Sequence, residues 1–137
     1  MELADTSAWT NRHKHAAVSA DFEARLVAGE IATCSMVKLE LLWETRDARG
    51  FAERRARLEA LHDLPIDEPA WRRALDVFEQ LATRGPLHHR QVKLPDLLVA
   101  AAAELAGLAV CHYDREFELI AEVTGQPVRA IAPIGSL

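Results

Sequence analysis

The chain has 137 residues, half of them apolar and 27% charged, which suits one globular domain over residues 1–137 and excludes a disordered or fibrous polymer. A formal net charge of −5 argues against adhesion to nucleic acid through a broadly basic surface. Cys34 and Cys111 lie in apolar stretches without zinc or redox spacing, and no apolar run approaches the roughly 18 residues of a membrane helix, so buried thiols, a reducing cytoplasm and no membrane span are expected.

Met1–Ala4 reads as a short strand that ends on Asp5 and enters a helix through Thr6 and Ser7. From His15 to Gly29 the apolar positions Val18, Phe22, Leu26 and Val27 recur at helical spacing, and Gly29 supplies the stop. Ile31–Ser35 is a connection or a strand fragment. Met36–Asp47 is predicted helical, Gly50 marks a break, and Phe51–His62 is predicted as a basic amphipathic helix. Leu64–Ile66 fits a short buried strand, and Asp67 with Pro69 fits the cap and first turn of a helix reaching about Thr83.

Gly85-Pro86 and the polar run His88–Lys93 read as a loop, after which Pro95-Asp96 opens a helix over Leu97–Ala106 that Gly107 ends. Leu108–Tyr113 is predicted as a buried strand, Arg115–Thr124 as a helix, Gly125-Gln126-Pro127 as a turn and Val128–Ile131 as the last strand. Helices alternating with short apolar strands imply an α/β sandwich with a mainly parallel sheet and helices on both faces.

Four acidic residues stand out against this pattern. Asp5 and Asp114 each follow a predicted strand, where chemistry in open α/β sheets is done, although an Asp in that place also serves as an ordinary helix cap. Asp96 opens a helix of Leu97, Leu98, Val99 and four alanines that is apolar all round and therefore buried, so its carboxylate either caps the helix, for about 0.3–1 kcal/mol, or serves a buried site. Glu40 shares its helix face with Met36, Val37 and Trp43, and points inward on that reading; a solvated Glu at the stripe's edge is the alternative. Carboxylates brought together repel one another, so the four make sense as a group only around a hard cation, and oxygen ligands suit Mg2+ or Mn2+ where zinc would call for His or Cys.

The remaining candidates have ordinary alternatives. Arg46, Arg49, Arg54, Arg55 and Arg57 form either a nucleic-acid contact or a solvated helix face; Arg90 and Lys93, just before Asp96, could touch an RNA backbone. His13, His15, His88 and His89 lack partners at ligand spacing and read as surface residues. Trp9 and Trp43 read as core, and Trp71 with Leu75, Phe78 and Leu81 as core or a partner surface.

The opening L-A-D-T-S-A-W, the helix-borne Glu40, the stretch L-P-D-L-L-V-A-A-A-A-E-L-A-G and the closing H-Y-D-R-E-F-E-L-I-A together resemble PIN-domain toxins of the VapC type over essentially the whole chain. The resemblance implies a PIN-like three-layer α/β/α sandwich and a metal-dependent endoribonuclease, with Asp5, Glu40, Asp96 and Asp114 holding Mg2+ or Mn2+. Thr6 or Ser7 would support them by hydrogen bonding. Glu116 stands where family members often carry Asp and is a secondary candidate. RNA as substrate, a VapB-type antitoxin with a basic segment across the acidic groove, and a homodimer are also implied. The rival readings are a non-catalytic PIN-fold interaction module and an aspartate-dependent phosphoryl-transfer domain; the second lacks the acidic residue two positions after Asp5 that such phosphatases use.

Overall fold

Five short strands, each returning through helices, build the protein, which a computed structural model describes over residues 1–137. The strands are β1 (Glu2–Ala4), β2 (Ile31–Cys34), β3 (His62–Leu64), β4 (Ala109–His112) and β5 (Val128–Ala130). All pair in parallel, in the order β3-β2-β1-β4-β5. Leu3 of β1 stands beside Ala32 on one side and Val110 on the other. The central strands are buried, as the apolar runs implied.

The helices are α1 (Thr6–Asn11), α2 (Ala16–Val27), α3 (Ser35–Trp43), α4 (Ala48–Glu59), α5 (Glu68–Thr83), α6 (Leu94–Ala106) and α7 (Arg115–Thr124). Parallel strands need crossover connections, and the right-handed rule places helices on opposite faces when the strand order runs in opposite directions. Accordingly α5, α6 and α7 pack together as one layer, while α3 packs with α1 and α4. Helix α6 lies against β1, β3 and β4, with every residue from Asp96 to Ala103 buried. Its alanines Ala100–Ala103 let the helix approach the sheet closely, and Gly107, at φ 71°, ends it in the left-handed conformation that costs other residues more. No helix is long and apolar enough to cross a membrane.

Several boundaries differ from the sequence expectation for identifiable reasons. The strand expected at Leu64–Ile66 lies at His62–Leu64, because Pro65 has no N–H for the ladder; it is an edge strand with only Leu64 buried. Gly50 does not break the chain but sits in the first turn of α4, where its N–H donates to the capping Asp47 carboxylate at 2.7 Å. The loop before α6 contains a short 3-10 turn, His88–Gln91, and α6 begins at Leu94, two residues before Asp96. Trp43 is not core: it is 87% exposed near the end of α3, as is Trp71 by 55% on α5, whereas Trp9 is buried against Phe22. Cys34 and Cys111 are buried free thiols.

Because Ala103 is fully buried where α6 meets the sheet, Ala103→Leu has no room to expand into. The expected cost is about 1–3 kcal/mol, seen as a melting temperature lowered by about 3–10 °C. An unchanged melt would show that the α6 contact is slack.

Candidate metal centre

The strand order reverses direction between β1 and β4, and the crevice beyond their carboxyl ends is where an open parallel sheet offers backbone and side chains to a ligand. Asp5 leaves β1 into this crevice and caps α1. Its Oδ2 accepts the Ser7 N–H at 2.9 Å and the Ser7 hydroxyl at 2.6 Å, and the same hydroxyl oxygen accepts the Tyr113 N–H at 2.9 Å. Ser7 therefore ties the end of β1 to the chain leaving β4. With Oδ2 engaged, the buried Oδ1 of Asp5 has no partner.

On the β4 side, His112 is fully buried and its Nδ1 accepts the Asp114 N–H at 3.1 Å, which places the proton of the neutral ring on Nε2. Burial lowers its pKa, and the ring lies 5.3 Å from that of Phe117. Sequence reading passed over His112; its position two residues before Asp114 in an apolar strand was the available signal. Asp114 caps α7 through Oδ1, which accepts the Glu116 N–H at 3.0 Å.

Asp96 arrives from α6. Asp96 does not cap the helix, since the cap position is Lys93, but it lies in the first turn, where a carboxylate answers the helix dipole; its Oδ2 is buried with no hydrogen bond. Glu40 arrives from α3, half-buried, and its Oε1 accepts the Thr6 hydroxyl at 3.1 Å. Its helix face is a boundary rather than an apolar stripe: Val37 and Leu41 are buried, but Trp43 and Glu44 face solvent. The lysine of that helix, Lys38, is committed to Asp63 at 2.9 Å and Glu59 at 3.6 Å.

Asp96, Asp114 and Glu116 form one grouping, with one carboxylate oxygen from each lying within 4.8 Å of the others. Glu116, a secondary candidate from the sequence, is thus part of this trio. Lys93 enters the same group rather than extending outward with the exposed Arg90: its Nζ lies 3.1 Å from Asp114 Oδ2, 3.2 Å from Glu116 Oε1 and 3.8 Å from Asp96 Oδ2. Burial works against the Lys93 charge, but Asp114, Asp96 and Glu116 outweigh it and raise its pKa.

Burial raises the pKa of Asp5, Glu40 and Asp96, with the charge of Asp5 adding to the shift on both others; the neighbouring Glu116 carboxylate raises Asp96 further, and the pKa of Glu116 is lowered. Such a group is short of positive charge. The donor set is entirely carboxylate, two of its buried oxygens are unpartnered, and no His or Cys joins it, so the residues present fit a hard divalent cation. Deprotonated carboxylates would hold the ion, with Ser7 and Thr6 fixing the orientation of two of them.

Because the folded pKa of Asp96 is raised above its ordinary value, the folded state keeps a proton that the unfolded chain has released, and stability falls as pH rises through that window. Asp96→Asn removes this loss. In chelator, the melting temperature of the variant minus that of the wild type should grow between about pH 5 and about pH 8, reaching at least about 3 °C. A flat or falling difference would contradict the burial of an ionisable Asp96.

Comparison with known proteins places these residues in a family. The PIN domain model matches residues 3–123. Over 136 residues the chain is 40% identical to Ribonuclease VapC18 of Mycobacterium tuberculosis, covering 97% of this chain and 96% of that protein. It is 38% identical to Ribonuclease VapC51 of the same organism, covering 98% and 96%. A crystal structure of VapBC-5, a member of the VapBC family of toxin-antitoxin systems from M. tuberculosis, superposes with a TM-score of 0.58 at 26% identity, covering 94% of this chain and 95% of that one. The acidic crevice at the β1–β4 switch is thus set in a chain that belongs to the PIN-domain family, among the VapC ribonucleases.

Proposed function

We propose that this protein is the toxin of a type II toxin-antitoxin pair, an endoribonuclease that hydrolyses RNA phosphodiester bonds with Mg2+ or Mn2+ held by Asp5, Glu40, Asp96 and Asp114. The observation that carries the metal reading is the buried Asp5 Oδ1, which has no partner, next to a buried Asp96 Oδ2 that has no hydrogen bond and only the Lys93 ammonium at 3.8 Å. Ionising such buried oxygens costs several kcal/mol, a cost that a cation ligand removes. The relatives named above are ribonucleases, and the fold puts this pocket where open α/β sheets receive substrates.

Asp5, Glu40, Asp96 and Asp114 would hold a divalent ion, which would supply activation of water and neutralisation of phosphate charge. The chain's own residues supply position and field. Ser7 holds Asp5 to the chain beyond β4, Thr6 holds Glu40, and the His112 ring fixes the Asp114 backbone. Arg90, exposed in the turn before α6, is free to meet an RNA backbone. A cation also answers the net charge of −5, because it turns a repulsive pocket into one that accepts a phosphate.

Incubation of purified protein with total RNA should give discrete cut ends in Mg2+ or Mn2+ and none in excess chelator. Asp96→Asn should lower the rate by about 100-fold or more, equivalent to about 2.7 kcal/mol of transition-state stabilisation. Cleavage that survives chelation, or that Asp96→Asn leaves unchanged, would reject the metal-nuclease reading; a correctly folded protein that binds no metal would favour the non-catalytic module.

The antitoxin reading gains support from a groove of about 840 Å³ lined by Trp9, Leu26, Leu41 and Leu58 and by Arg12, Arg54 and Arg57. Arg12 is stacked 4.9 Å from the Trp9 ring and 5.4 Å from that of Phe22, so its charge is held in place. Glu23 and Glu44 also line the groove and Glu44 lies 3.5 Å from Arg54, so its rim is mixed and the unpaired Arg57 is the cation left for an acidic residue of an amphipathic partner helix, while the basic contacts expected of the antitoxin would fall at the carboxylate pocket. Arg57 has no ion-pair partner and is exposed. Arg57→Glu should leave RNA cleavage intact and raise the dissociation constant for the cognate antitoxin about tenfold, or about 1.4 kcal/mol; an unchanged constant would move the partner off this groove.

A further inference from the structure

Two of the four carboxylates assigned above to the ion already face a cation of the chain itself. Asp114 gives its Oδ1 to the Glu116 N–H at 3.0 Å, so the oxygen it has left for a metal is Oδ2, and Lys93 Nζ stands 3.1 Å from that atom. Asp96 Oδ2, buried and without a hydrogen bond, lies 3.8 Å from the same ammonium. Glu116 completes the group, with its Oε1 3.2 Å from Nζ. One carboxylate oxygen from each of these three residues lies within 4.8 Å of the others, close enough for all three to share one cation. The cation they share here is the Lys93 ammonium.

We propose that Lys93 is a displaceable counter-cation: its ammonium neutralises Asp96, Asp114 and Glu116 until a divalent ion binds to Asp96 and Asp114, and that ion drives the ammonium out toward solvent. The inference rests on the metal reading above and deepens it. Two cations drawn to the same oxygens repel each other strongly at the effective dielectric of a partly buried pocket. The doubly charged ion, bonded directly to the carboxylates, is the stronger of the two. Lys93 has somewhere to go, because its side chain is 60% exposed. Its backbone stays behind: Lys93 holds the cap position of α6, and its N–H donates to Glu116 Oε2 at 3.0 Å, so release of the ammonium does not unfasten α6 from α7. The exchange lowers metal affinity, since every ion bound must break the contacts of the ammonium with three carboxylates. A permanent ion bridge joining α6 to α7 would show the same distances but would keep the ammonium in place when the metal is bound.

The test reads metal binding and the state of the amine, with catalysis not measured. Lys14, Lys38 and Lys93 are the three lysines of the chain, so acetylation of the wild type by N-hydroxysuccinimidyl acetate can be followed at each by mass spectrometry. Saturating Mn2+ should speed acetylation of Lys93 severalfold over its rate in chelator and leave Lys14 and Lys38 unchanged. Mn2+ affinity is measured from the free-ion electron paramagnetic resonance signal. Lys93→Met, which removes the charge and keeps an apolar stem, should bind Mn2+ about tenfold more tightly than the wild type, and Lys93→Arg no more tightly. Circular dichroism melts confirm that each variant is folded, and the acetylation arm needs no variant. Equal affinity in the wild type and Lys93→Met, or a Lys93 acetylation rate that bound Mn2+ does not change, would overturn the inference and leave the metal site standing. No Mn2+ bound by either protein would overturn both.

Discussion

Five carboxyl groups from four separate segments meet at the crevice beyond β1 and β4, and their mutual repulsion is the constraint to which the rest of the structure answers. Left ionised and unpaired, such a group would push its own elements apart. Three of its members instead have raised pKa values, and Lys93 faces Asp96, Asp114 and Glu116. The scaffold that holds them against repulsion is apolar: β1, the inner part of α6 and β4 are buried, and they belong to one core of 28 residues. Here the core supplies the stability, and the acidic crevice consumes part of it.

The hydrogen bonds around the site divide its carboxylates into fixed and free oxygens. Ser7 engages one oxygen of Asp5, the α7 backbone one of Asp114, and Thr6 one of Glu40, so each side chain is oriented by a bond that leaves its second oxygen for another partner. Asp96 differs: it is set by the burial of α6, and the side chains that meet its carboxyl group are Glu116 and, 3.8 Å from its Oδ2, the Lys93 ammonium.

Two concave surfaces lie apart on the chain. The carboxylate crevice lies at the sheet's switch point, whereas the groove with Arg12, Arg54 and Arg57 runs among α1, α2, α3 and α4, and none of the five crevice carboxylates lines it. Arg54 also serves the fold, donating to the Leu41 carbonyl at 2.8 Å and lying 3.5 Å from Glu44. Arg57 carries no such duty and is the freer of the two for recognition.

Much of this was legible in the residues. The alternation of apolar strands with helices, the glycine stop at Gly107, the burial of the alanine-rich helix and the order of Asp5, Glu40, Asp96 and Asp114 are local or near-local properties, fixed along the chain by side-chain volume, polarity and periodicity. What it left open depended on contacts between residues distant in the chain. That His62 rather than Ile66 pairs with β2, that Trp43 faces solvent, that His112 supports Asp114, and that Lys93 turns in toward Asp114 and Glu116 were decided only by tertiary structure. The physical reason is that a charge or ring takes its orientation from the lowest-energy partner within a few ångströms, and for these residues that partner, or the solvent in its place, is chosen by how the layers pack and not by the neighbours along the chain.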